Sequence, residues 1–166
     1  MLKLTIPMIF ISLLLSAAIF GFFYAWVCST MWGLDTAEPR VAIAAMQAMN
    51  ASVRNAVFFP AFFLTPLALA ITCGLLYGPQ RAPALAFGAA ALVYLLGGLI
   101  LTMAVNVPMN EALALVTIPD DPEAAGEIWR TYSERWQVWN ITRTVASGAA
   151  FLLAACGTFL IDRNAL

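Results

Sequence analysis

Hydrophobic positions fall in four long runs, separated by short segments that hold nearly all of the charge. No charged residue occurs between Lys3 and Asp35, Arg54 and Arg81, Arg81 and Glu111, or Arg143 and Asp162. A hydrocarbon core of roughly 30 Å takes about 20 helical residues, and only helices or closed barrels satisfy their backbone within it. The runs therefore predict four transmembrane helices, at about residues 6–27, 53–77, 84–105 and 142–161. Extramembrane segments are expected at about 33–52 and 106–141. The chain, residues 1–166, reads as a single membrane domain. Its expected class is all-α, an integral membrane four-helix bundle with two extramembrane helical excursions on one face.

Local signals refine the elements. The first run is too long for the apolar part of a signal peptide and no small-x-small cleavage site follows it, so it is expected to persist as a span. Trp26 and Trp32 suit an interfacial belt. Asp35 to Pro39 reads as a turn with Pro39 near a helix start, and the helix that follows is expected to run into the second span. Pro60 and Pro66 lie within that span, and each should displace the carbonyl four residues earlier, those of Ala56 and Phe62. Gly78 to Pro83 forms a short polar link, and Pro108 should mark the boundary of the third span. After the loop Asp120-Asp121-Pro122-Glu123, an amphipathic helix from about Ala124 to Trp139 continues into the fourth span.

The two halves share a plan. Asn50-Ala-Ser52-Val-Arg54 re-enters the membrane in the first and Asn140-Ile-Thr142-Arg143 in the second. A parallel repeat and a chance likeness both fit. Both Asn-x-Ser/Thr triplets lie against the membrane, which argues against glycosylation there.

Composition narrows the chemistry. The chain is 63% hydrophobic and 10% charged, against about 25% charged in soluble domains. A net charge of −1 offers no surface for a polyanion, so no nucleic-acid partner is expected. Histidine is absent, which removes most haem, zinc, copper and non-haem iron ligand sets. No metal and no cofactor are expected. Cys28 should sit at one membrane face and Cys73 and Cys156 toward the other, which makes a disulfide from Cys28 to either implausible; all three read as small buried packing residues. Lys3, Arg81 and Arg163 share a side with one acid, whereas the other side carries five arginines and eight acids. Positive charge in short loops marks the cytoplasm, so both termini are placed inside a bacterial inner membrane. The bilayer is then the chief partner, and homo-oligomerisation stays open.

Polar residues gather where three elements reach one membrane face. Trp129, Tyr132, Trp136, Asn140 and Arg143 follow helical steps of three or four, and Trp139 lies beside them. This stripe can pack the excursion, or wall an aromatic-lined pocket with Asn140 and Arg143 at its floor. Gln47, Asn50 and Arg54 share a face where the second span begins. Asn106, Asn110 and Glu111 are expected at the end of the third, where helix carbonyls lack partners. Glu111 can pair with Arg54 or Arg143. A structural ion-pair network and a site for an anionic or enolisable hydrophobic aromatic molecule are both open readings.

Asn106-Val-Pro-Met-Asn110-Glu-Ala-Leu113, followed by Trp129-x-x-Tyr132-x-x-x-Trp136-x-x-Trp139-Asn140-x-x-Arg143, resembles the bacterial four-helix membrane family grouped with fungal anthrone oxygenases. The likeness covers nearly the whole chain. It implies conversion of an anthrone to an anthraquinone by O₂ without metal or flavin. On that resemblance Glu111 or Tyr132 is the base, Arg54 and Arg143 stabilise the anion, Asn106, Asn110 and Asn140 orient it, and Trp136 and Trp139 stack on its rings; Asn50 is a further candidate for binding. The alternative is a non-catalytic membrane module that binds a lipid or quinone-like ligand, or serves as a partner subunit.

Overall fold

The computed structural model describes residues 2–162, with side chains from residue 4 onward. The side chain of Lys3 and all of Arg163, which entered the charge comparison above, lie outside the described residues. Every regular element among the described residues is helical. Helix α1 (Leu2–Ala25) passes through a wide turn, Trp26–Thr30, into α2 (Met31–Asp35). Helices α3 (Pro39–Ser52) and α4 (Phe58–Tyr77) follow. Helix α5 (Arg81–Tyr94) runs through wide turns at Leu95–Ile100 and Thr102–Asn106 into α6 (Val107–Ala114), and α7 (Pro122–Phe159) completes the fold. Four continuous helical segments are long and apolar enough to cross a membrane: Leu4–Asp35, Phe58–Tyr77, Arg81–Ala114 and Pro122–Phe159. The protein is an integral membrane helical bundle.

The four long helices form a ring. α1 packs on α4 and α7, and α5 packs on the same two. Such helices are apolar nearly all round, so small residues and polar contacts decide which faces meet. Ala84 and Ala90 of α5 and Ala150 and Ala154 of α7 lie in one buried core with Phe23, Phe62, Phe87 and Tyr94. A Cβ at Gly97 would stand 2.5 Å from that of Ala146, so glycine is what lets α5 approach α7 there. Ser12 and Thr72 hydrogen-bond at 2.9 Å between α1 and α4. A second core joins α2, α3, α6 and the first half of α7 through Met31, Ile43, Met46, Leu113, Trp129 and Trp136. We call this group the cap.

Several expectations change. The helix from Arg40 does not run on into the second span; it stops at Ser52, and residues 53–57 break the chain direction. Asn55 causes the restart, its Oδ1 accepting from the N–H groups of Val57 and Phe58 at 2.9 Å each. Pro60 therefore falls in the first turn of α4, where its missing N–H costs nothing and no kink results. Pro66 does leave the Phe62 carbonyl without its helical donor, and the Tyr94 hydroxyl donates to that oxygen at 2.9 Å. Nor does Pro108 end the third span. The wide turns ahead of it carry the helix past the proline to Ala114, so Asn106, Asn110 and Glu111 sit within a helix rather than over its end. The end carbonyls, Leu113 and Val116, accept instead from Gln47 at 2.9 and 3.0 Å. Cys28 and Cys156 are exposed on the bundle exterior rather than buried, and Cys73 is half-buried beside Gly88. Trp32 faces outward as a belt residue would, but Trp26 turns in against Trp136 at 5.2 Å.

Tyr94→Phe should orphan a buried carbonyl at a cost of about 1–3 kcal/mol. Adding Pro66→Ala restores the helical N–H and should recover the unfolding midpoint in detergent. A double variant no more stable than Tyr94→Phe alone would contradict this pairing.

Candidate functional site

Where the cap meets the ring, a cavity of about 290 Å³ lies among α1, α3, α4, α6, α7 and the wide turn Thr102–Asn106. Its apolar walls come from α1 and α4. Phe58, Phe59, Phe62 and Phe63 are two doublets four residues apart, so one face of α4 presents all of them just after the break at residues 53–57. Phe22, Phe23 and Trp26 complete the aromatic side. Asn50, Arg54, Asn110, Glu111 and Arg143 supply the polar side.

Arg143 is 5% exposed and forms no ion pair with any described residue. Its guanidinium lies over the Phe23 ring at 4.3 Å and the Trp136 ring at 5.0 Å from their centroids. Nε donates to Asn140 Oδ1 at 3.0 Å, and Nη1 reaches Thr102 Oγ1 at 3.4 Å. Asn140 in turn donates from Nδ2 to the Phe23 carbonyl at 3.3 Å, which fixes its orientation. Each ring face stabilises a desolvated guanidinium by about 2 kcal/mol or more. Removing a charge from water costs several kcal/mol, so these contacts do not replace a counter-ion. The cation has no carboxylate partner among the described residues, and Arg143 lines the cavity.

Asn110 ties α6 to α7. Its Oδ1 accepts from Tyr132 Oη and from Trp136 Nε1, both at 2.9 Å. An indole N–H only donates, so the amide orientation is fixed, with Oδ1 toward α7. Asn50 Nδ2 donates to Tyr132 Oη at 3.4 Å, which brings α3 into the same network. At the rim, Arg54 Nη2 and Glu111 Oε1 pair at 3.3 Å, with both side chains about half exposed.

Of the residues singled out in the sequence, Asn50, Arg54, Asn110, Glu111, Trp136 and Arg143 line this cavity together. Tyr132 and Asn140 stand one hydrogen bond behind it, holding Asn110 and Arg143. Trp139 is half-buried and off the lining, and Trp129 packs in the cap core. Asn106 is fully buried outside the lining, and neither end of its amide has a partner among the described residues. Asn50 and Asn140 are too buried to carry a glycan, at 8% and 1% exposed.

The aromatic wall was missed. The repeated Phe-Phe doublet was its signal, hidden among other apolar residues. Asp35 was also missed. It accepts from Trp129 Nε1 at 3.1 Å, Ser133 Oγ at 2.6 Å and Gln137 Nε2 at 2.9 Å, which pins α2 to α7. Among the described residues no three His, Cys, Asp or Glu side chains gather as a metal site would require.

These features define a four-span membrane protein with an aromatic cavity and a charged rim beneath a helical cap. Residues 49–153 match the family described as anthrone oxygenase. The chain belongs to that family. No curated protein and no solved structure matches it.

Asp35→Ala leaves Trp129 Nε1 and Ser133 Oγ without their acceptor, while Gln137 keeps its bond to Ser133 Oγ, and should loosen the cap by about 1–3 kcal/mol. Amide exchange should quicken in α2 and the first half of α7 while the four-helix ring stays protected. Unchanged exchange in the cap would contradict the anchoring role.

Proposed function

We propose that this cavity binds a flat aromatic ketone of the anthrone type and converts it with O₂ to the quinone, using the chain's own residues. The observation that supports this reading is Arg143, a buried cation without a carboxylate partner among the described residues, which lines an aromatic cavity. An enolate oxygen is a fitting partner, because its negative charge develops as the reaction proceeds. The phenylalanine walls accept the rings, and Asn110 Nδ2 offers a further donor.

The atoms balance as anthrone plus O₂ giving anthraquinone plus water. Glu111 removes one proton from the methylene carbon opposite the ketone, and the electron pair moves onto the ketone oxygen beside Arg143. The carbanion carbon bonds to O₂, giving a peroxide that takes up a proton. Loss of the second hydrogen from that carbon, with cleavage of the O–O bond, releases water and leaves the new carbonyl. Tyr132 acts as a positioning residue, since its hydroxyl proton is committed to Asn110. Both termini lie in the cytoplasm of a bacterial cell in this reading, with the cap on the far side of the inner membrane.

A second reading draws on the position of Glu111, half-exposed at the rim in a pair with Arg54. In it the cavity holds an aromatic anion or quinone without turning it over.

Emodin anthrone should drive dioxygen uptake equimolar with substrate, insensitive to chelators, in protein purified in detergent. Glu111→Gln should lower kcat by about 100-fold or more with little change in KM. Arg143→Met, which removes the charge from a side chain of related size, should weaken binding of emodin at least about tenfold. Emodin binding without oxygen uptake would favour the second reading. No binding of either compound by the unaltered protein would overturn both.

A further inference from the structure

A second cavity of about 600 Å³ adjoins the first and lies between α1 and the start of α4. The two share Phe22, Trp26, Met49, Val53 and Phe58 as a common wall. Within this wall the Phe22 and Phe58 rings meet with centroids 4.9 Å apart. Two tilted rings can turn about χ1 and χ2 without breaking any hydrogen bond.

The second cavity has a polar upper rim, Ser52 and Asn55, and an apolar lower end at Ala18 and Ala61. Ala18 is exposed on the bundle exterior, and Ala61 is half-buried. At 1.5 Å per residue, Ala18 lies ~13 Å down the helix axis from Val27, the expected limit of the first span. The chamber therefore extends from the interface into the hydrocarbon region, where a flat lipophilic molecule partitions. Its backbone on the α4 side is the break at residues 53–57, outside any helical ladder and so the part of this wall freest to shift.

We infer that the space between α1 and α4 is an antechamber that takes a flat aromatic ligand from the bilayer and passes it between Phe22 and Phe58 into the Arg143 cavity. This rests on the ligand-site reading above and adds the route. It places selection for membrane-dissolved, planar molecules at a point before any charged group is met. Ala18 and Ala61 line this chamber and do not line the Arg143 cavity.

The test uses the full-length protein in phosphatidylcholine vesicles preloaded with emodin, with binding followed by quenching of tryptophan fluorescence. Ala18→Phe with Ala61→Phe should slow both association and dissociation by about tenfold and leave equilibrium affinity within about twofold, because only the path is narrowed. Ala18→Phe alone, on the exposed face, should give a smaller effect in the same direction and guards against misfolding of the double variant. Phe58→Ala should speed association. Unaltered rates in both chamber variants, with normal binding in the parent protein, would overturn the route while leaving the site intact. Absence of quenching in the parent protein would overturn the ligand site and the route with it.

Discussion

A guanidinium taken out of water must be surrounded by acceptors, ring faces or an anion, and Arg143 has too little of the first two. Two aromatic rings cover it, one amide and one hydroxyl meet it, and no described carboxylate pairs with it. The rest of the cap end follows from that deficit. Asn140 is buried because it holds Nε and the Phe23 carbonyl together. Trp136 is held by Asn110 so that its ring face stays on the cation. Asn110 is held from α7, and α7 is held from α2 by Asp35. Each support is polar, and each lies at the end of the bundle where lipid gives way to the cap.

The cavity beside Arg143 exists because the helices around it are irregular. α1 carries a wide turn at Trp26–Thr30, α5 two of them before Asn106, and the chain between α3 and α4 is broken. Wide turns of this kind widen the helix locally and recur at functional sites. Pro66 adds a missing hydrogen bond, which Tyr94 repairs from the neighbouring helix. Deeper in the ring the helices pack closely, with Gly157 against Phe87. The cavity that Arg143 lines thus sits at the end where the charged groups are.

Much of this was legible in the sequence. Uncharged stretches located the spans because hydrocarbon tolerates little else, and that constraint is insensitive to packing detail. Asn50, Arg54, Asn110, Glu111, Trp136 and Arg143 could be grouped because polar residues at helical spacing near a span end must face somewhere other than lipid. Finer features depended on neighbours. In the sequence Pro108 reads as a stop because proline ends ordinary helices, whereas wide turns let this one continue. Pro60 reads as a kink because the capping role of Asn55, which moves the helix start to Phe58, is a local competition that spacing alone does not decide. The phenylalanine wall was invisible because in a membrane helix an inward Phe and a lipid-facing Phe look alike. In the sequence Asp35 reads only as a turn residue, since its three partners lie about a hundred residues away in the chain.

The measurement closest to the central question is whether the ligand binds as an anion. Calorimetric titration of the purified protein with emodin, an acidic hydroxyanthraquinone, across a pH series and in buffers of different ionisation enthalpy reads this directly. If the bound ligand completes the shell of Arg143, binding below the ligand's own pKa releases a proton. Affinity then rises about tenfold per pH unit up to that pKa and levels off above it. Binding that releases no proton and has the same affinity on both sides of the ligand's pKa would show that Arg143 does not act as the counter-charge.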